Sequence, residues 1–210
     1  DLDEARTIPL QNFEPQALAA IKKRIQKFND ARSEKALQGK YVCANNLADS
    51  PYGYFLDSEF VHGKSRVDLV WVDYGSKKLV LVELKTIKDS RLYVDDPETG
   101  PSITEQLDRY AQLAMNEGQD LLYYYSAVRE VKKKLGLLPG AATEVTFEDF
   151  EIEKRPLLLI GDCTQKWIHD TSPEIDKRVA SAACGTVYHG PTTFVFRGLG
   201  FKSPYYHWYH

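Results

Sequence analysis

The chain has 210 residues, of which 43% are apolar and 27% charged, with a net charge of −3. This composition suits one globular domain, or at most two small ones, and excludes an intrinsically disordered chain. No apolar run approaches the roughly 18–20 residues that a bilayer-spanning helix needs, and the mildly acidic balance neither supports nor excludes a nucleic-acid substrate, because carboxylates in an active site offset basic residues elsewhere. The opening segment DLDEARTIPL lacks the basic-then-apolar pattern of a signal peptide and does not begin with Met, as expected of a processed chain or a piece of a longer one. Cys43, Cys163 and Cys184 are far apart, odd in number and without a CxxC. They exclude a disulfide framework and a four-thiolate metal site, and predict buried free thiols in a reducing cytoplasm.

In chain order, Glu14-Pro15 opens a helical pattern with Leu18, Ile21, Ile25 and Phe28 on one face. Ser33 is placed to cap a second short helix running through Leu37 towards Tyr41, with Glu34 in its first turn. Residues 48–53 read as a loop. The next stretch reads as β: Tyr54 to Val61, then Arg66 to Val72, with Val67, Leu69 and Trp71 on one face and Asp68, Val70 and Val72 on the other. A turn at 74–77 leads into Leu79 to Ile87. Three strands with short connections predict an antiparallel meander. A loop over 88–101 follows. Ser102 and Glu105 have capping-box spacing, predicting a helix from Ile103 to Glu117 that Gly118 breaks. Further elements are a helix from Asp120 to Leu135, a strand from Leu157 to Gly161, a helix from Pro173 to Ala183 and a last strand from Thr192 to Arg197. A mixed sheet flanked by helices buries this order most simply.

The strand KKLVLVELKTI carries the chemistry. Side chains on a strand alternate with period two, so Glu83 and Lys85 project from one face. Burying an acid and an amine on an apolar strand is costly unless they are paired or used. Asp68 sits on the preceding strand, also among apolar residues, and counting outward from the turn pairs Asp68 with Glu83. Two carboxylates held that close repel, and a hard divalent cation would relieve the repulsion. Lys85 is then placed to handle a water beside the cation or to neutralise a phosphate. On the following helix, Gln106 and Tyr110 are four apart and share a face.

In this order and spacing, GKSRVDLVWVD (Gly63 to Asp73), LVLVELKTI with Glu83 and Lys85, and QLDRY with Gln106 and Tyr110 resemble the PD-(D/E)XK nuclease superfamily, in particular its RecB-like and NucS-like groups. SEKALQ offers Glu34 for the family's first motif. The resemblance covers residues 33–115 well and extends weakly to 197. It implies an α/β, restriction-endonuclease-like core over residues 33–210, preceded by a helical segment over 1–32. It implies Mg²⁺- or Mn²⁺-dependent hydrolysis of phosphodiester bonds, in DNA rather than RNA, in repair, restriction or phage defence. Asp68, Glu83 and the backbone carbonyl of Leu84 would hold the ion, and Glu34 would join the same ion or a second one. Lys85 would handle the nucleophilic water, with Gln106 and Tyr110 positioning Lys85, the phosphate or the metal shell. A second copy of the chain or a larger complex would be further partners, and a membrane would not. Three features depart from parts of the superfamily: no proline precedes Asp68, four cysteines for an iron–sulfur cluster are lacking, and no Walker loop occurs. A nucleic-acid-binding or protein-interaction domain without catalysis is the alternative on the same fold.

Other residues carry weaker signals. Glu59 is a candidate to replace or join Glu34. Lys132, Lys133 and Lys134 read as a solvated helix face or phosphate contacts. The tail PYYHWYH, with His207 and His210, reads as a packing segment. His62, His169 and His189 lack ligand spacing.

Overall fold

A computed structural model describes residues 34–47, 50–63, 65–95, 98, 100–191 and 194–196. The helix expected at 14–28, the Ser33 cap, and the tail with His207 and His210 lie outside the described residues. Helix α1 (Glu34–Asn46) runs past the expected end near Tyr41 and buries Leu37, Gln38, Tyr41 and Asn45. It is followed by β1 (Gly53–His62), β2 (Ser65–Asp73) and β3 (Lys78–Thr86), which form an antiparallel meander as the alternation requires. Leu69 pairs with Val82 and Val70 with Leu81, the register counted from the turn. Asp73 fixes that turn by accepting from the backbone N–H of Ser76 at 2.8 Å.

The long helix α2 (Ile103–Lys134) then returns the chain to the far edge of β3. There β4 (Glu151–Ile152) and β5 (Leu157–Gly161) add in parallel, one beside each half of the strand. Helix α3 (Gln165–Val179) crosses to β6 (Gly185–Tyr188), which pairs in parallel with β5. The result is an α/β fold with a mixed, open six-stranded sheet flanked by helices. Val70, Val72, Leu79 and Leu81 pack towards Tyr110, Leu113 and Tyr125 of α2. Leu69, Trp71, Val80 and Val82 pack with Leu37 and Tyr41 of α1.

Several expectations need correction. The capping box at Ser102 and Glu105 is present, and the break expected at Gly118 falls one residue earlier: Glu117 (φ −124°, ψ 17°) is not helical, and α2 is two helical stretches meeting at that kink without an intervening loop. Helix α3 starts at Gln165, not Pro173, because Thr164 caps it by accepting from the Trp167 N–H at 3.1 Å. Pro173 lies inside the helix and forgoes one backbone bond. Among the described residues the last strand is Gly185–Tyr188; of the strand expected over 192–197 only 194–196 are described, and these are not in a strand. At 194–196 a side chain takes the part of a strand partner: Asn45 donates to the Phe194 carbonyl and accepts from the Phe196 N–H, both at 2.9 Å. Val67 joins the cluster of Val70 and Val72 instead of facing with Leu69 and Trp71. The β1–β2 register shifts between Phe55 and Asp57, so simple alternation does not carry through the hairpin. The three thiols are free, but only Cys163 is fully buried, and Cys43 is exposed.

Two glycines place the sheet and α1. Gly161 ends β5, where a Cβ would stand 2.4 Å from Leu37 Cδ2, so its bare backbone seats α1 beside the end of the sheet. At Gly53 (φ 153°) a Cβ would stand 2.0 Å from the Val72 carbonyl oxygen and 2.6 Å from the Trp71 ring. Neither the β2 backbone nor a fully buried tryptophan can yield cheaply. Gly53→Ala is therefore expected to cost about 3 kcal/mol, lowering the melting temperature by about 6–12 °C. Gly63→Ala, also at positive φ (56°) but with nothing within 4 Å, should cost about 1 kcal/mol. Equal melting temperatures for the two variants would refute the close-approach argument.

Candidate functional site

The site lies towards the end of β3, where the strand carries two buried charges. Glu83 and Lys85 are each 1% exposed. A buried ammonium must be paired, and the fold supplies partners from three elements. Glu83 Oε1 is in direct contact with Lys85 Nζ, the carbonyl of Leu84 accepts from it at 2.9 Å, and Glu34 Oε2 lies at 3.5 Å. These three acceptors use all three ammonium protons. Asp68 Oδ2 stands at 3.8 Å, within ion-pairing but not hydrogen-bonding range. Its donor is the N–H of Leu84, at 2.9 Å, a contact made possible by the β2–β3 register.

The structure therefore brings together Glu34, Asp68, Glu83, Lys85 and the carbonyl of Leu84. Glu34 arrives because it lies one turn before Leu37, which packs on Gly161, and Gly161 pairs with Thr86 beside Lys85. Tyr110 comes from α2. Its hydroxyl bonds Glu83 Oε2 at 2.5 Å and also meets the carbonyl of Arg66. One phenolic proton thus ties the second oxygen of Glu83 and the β2 backbone to one point. Gln106 behaves differently. Its amide oxygen is buried with no hydrogen-bond partner, and among the described residues no hydrogen bond joins it to Asp68, Glu83 or Lys85.

The charges are unequal to the pairing available. Burial works against the Lys85 ammonium, but Glu83, Asp68 and Glu34 outweigh it and hold its pKa above the ordinary value. Lys85 therefore stays charged. Burial, and next the charge of Glu83, push the Asp68 carboxyl up to about 7, despite Lys85 and the Leu84 N–H. Burial also raises Glu34, with Asp68 and Asp89 adding to the rise and Lys85 opposing it. Burial and Glu83 hold the Tyr110 phenol far above its usual value, so it remains a donor.

Three residues near the site are not singled out by the sequence. Gln38, buried on α1, donates to the carbonyl of Asp68 at 2.6 Å. Its one signal is a polar side chain four residues after Glu34, on the same helical face. Asp89 and Arg91, just after β3, bond each other at 2.5 and 2.9 Å and influence the charge of Glu34. Nothing in their sequence surroundings sets them apart from an ordinary turn. Glu59 does not reach Lys85; it bonds Gln38 and pairs with Lys35 and Arg66. Lys132 is not a free cation, since its Nζ donates to the carbonyl of Leu56, while Lys133 and Lys134 are exposed. His62 pairs with Glu117 and His169 with Asp170, and His189 is buried beside the Tyr41 ring.

No group of three or more His, Cys, Asp or Glu side chains among the described residues is arranged to hold a metal ion; the three carboxylates share the Lys85 ammonium instead. The donor chemistry, three carboxylates and a carbonyl, is nonetheless the all-oxygen set that suits a hard divalent cation. Comparison with protein families, with curated proteins and with solved structures finds no match for this chain. No helix of the described residues is long and apolar enough to cross a membrane.

The raised Asp68 carboxyl has a measurable consequence. A native pKa of about 7 against an ordinary 3.8 means that the protonated form is favoured by folding. Stability is then full below about pH 4 and falls as the pH rises through 7, by a few kcal/mol. In the presence of a chelator, Asp68→Asn should melt several degrees above the parent at pH 8 and level with it near pH 4. A difference independent of pH would contradict the assignment.

Proposed function

We propose that this chain is a Mg²⁺- or Mn²⁺-dependent nuclease with a restriction-endonuclease-like core of the PD-(D/E)XK type. One observation carries the reading: oxygens from Glu34, Asp68, Glu83 and the Leu84 carbonyl converge on the buried Lys85 ammonium. Three acids face one base, and burial, with the neighbouring acids adding to it, raises the Asp68 and Glu34 carboxyls. The order of the motifs along two strands and a helix supports the same reading, and so does the mixed sheet on which they lie.

Glu34, Asp68, Glu83 and the Leu84 carbonyl would hold the cation. When bound, it would act as a Lewis acid on a phosphate oxygen and lower the pKa of a water. Lys85 is charged and keeps its amine among the acids, where it can orient the attacking water or stabilise negative charge developing on the phosphate. Tyr110 fixes the rotamer of Glu83 by holding its second oxygen. Gln106 offers a buried acceptor one turn away, available to a water or a substrate group. By the sequence resemblance the substrate is DNA rather than RNA, and a second copy of the chain or a larger complex are further partners to test.

The test is incubation of the full chain with Mg²⁺ or Mn²⁺ and a panel of linear, circular, single-stranded and structured DNA and RNA. Cleavage should require the cation and stop with chelator. Lys85→Ala should lower the cleavage rate by at least about 10²-fold, the scale for losing a proton-handling or charge-stabilising group. Asp68→Ala should also abolish the rise in melting temperature caused by Mn²⁺. Cleavage by Lys85→Ala at the parent rate would refute its role, and no cleavage of any substrate by the parent would refute the nuclease reading.

Tyr110→Phe should cut the rate by about tenfold or more and destabilise by about 1–3 kcal/mol, because it leaves the buried Glu83 Oε2 and the Arg66 carbonyl without their donor while the ring stays packed. An unchanged rate would take the hydroxyl out of the site.

A further inference from the structure

Beside the Lys85 cluster, the carboxylate of Glu59 takes three donors. Lys35 Nζ is at 2.5 Å, Arg66 Nε at 2.9 Å and Gln38 Nε2 at 3.2 Å. The two cations have 55% and 62% of their side chains in water, against 29% for Glu59. Solvent alone would satisfy them, and exposed ion pairs contribute little to stability. Yet the cluster is built on a left-handed backbone at Glu59 (φ 60°), a conformation that is strained for any residue with a side chain. It is also wired to the site. Gln38 donates on to the Asp68 carbonyl at 2.6 Å, and the Arg66 carbonyl meets the Tyr110 hydroxyl that bonds Glu83.

We propose that Lys35 and Arg66 form a clamp for a backbone phosphate of the nucleic acid, and that Glu59 occupies the phosphate's place until the strand arrives. This deepens the nuclease reading and rests on it for the identity of the polyanion. A phosphodiester oxygen accepts from the same ammonium and guanidinium N–H groups as a carboxylate, and the arginine fork suits two phosphate oxygens. The hydrogen bonds from Lys35 and Gln38 hold the Glu59 carboxyl below its ordinary pKa against the effect of burial, so the stand-in is charged. Displaced, Glu59 is close enough to solvent to be hydrated, while Gln38 keeps its bond to Asp68. The clamp then fixes one phosphate at a set place relative to Asp68 and Glu83, which registers the strand for cleavage.

The experiment measures binding of the full chain to a labelled single strand of about 20 nucleotides and its duplex, by fluorescence anisotropy in Ca²⁺, over a range of salt concentrations. Lys35→Ala and Arg66→Ala should each weaken binding and lower the slope of log K against log salt by about 0.7–0.9, the contribution of one phosphate contact. Glu59→Gln should tighten binding several-fold by removing the competing charge. Glu59→Gly, which suits the left-handed backbone, should do the same, so a folding defect in one variant does not spare the idea. Unchanged slopes for both cation variants, or unchanged or weaker binding by both Glu59 variants, would overturn the clamp, as would a parent that binds neither strand. Cleavage is scored separately in Mn²⁺. Loss of the clamp signature with Lys85-dependent cleavage intact refutes only the clamp, whereas the full binding signature without cleavage refutes the nuclease reading and retains a polyanion clamp.

Discussion

A lysine ammonium buried on a central strand has to be met by negative charge, and the arrangement of this molecule follows from how Lys85 is met. Its three protons go to Glu83, Glu34 and the Leu84 carbonyl, and Asp68 completes the shell at 3.8 Å. Breaking such a pair is expensive because it strands a charge in a medium that solvates it poorly. The same shell overcompensates, since three acids face one base. Burial first, and then the charge of Glu83, push the Asp68 carboxyl up to about 7. A site with more negative charge than its fold can neutralise is suited to receive a cation.

Each wall of the shell is held by a different structural device. The β2–β3 turn aligns Asp68 with the N–H of Leu84. The missing side chain at Gly161 admits Leu37, which carries α1 and Glu34 to the end of β3. The capping box at Ser102 sets the start of α2, from which Tyr110 reaches the far oxygen of Glu83. Glu83 is therefore restrained at both oxygens, by Lys85 on one side and Tyr110 on the other. In the proposed reaction, positioning of this kind would leave little reorganisation for the reacting step.

The surroundings grade from dry to wet. Glu83 and Lys85 are sealed in, Asp68 and Glu34 are nearer the surface, and Lys35 and Arg66 are mostly in water. Fields are strong where water is excluded and weak where it is not. A polyanion approaching this end of the sheet would meet the exposed cations before the buried acids. Gln38 joins the two regions through one amide that bonds both Glu59 and the Asp68 carbonyl.

What the sequence by itself determined is what depends on short range. Period-two alternation put Glu83 and Lys85 on one face, the 74–77 turn set the register opposite Asp68, and Ser102 with Glu105 marked the start of α2. These rest on backbone geometry and on bonds spanning a few residues. Even so, Thr164 outweighed the more conspicuous Pro173 as the start of α3, because a cap bond forms locally while a helix tolerates one missing N–H when its apolar face is packed. The tertiary structure alone decided which distant groups meet. Asn45 bonds the backbone of Phe194 and Phe196, and β6 pairs with β5 at the edge of the sheet. Glu34 rather than Glu59 reached Lys85, and Tyr110 rather than Gln106 reached Glu83. Candidate acids and polar side chains look alike along a chain. The choice between them is made by which apolar faces bury each other, and those contacts join residues far apart in sequence.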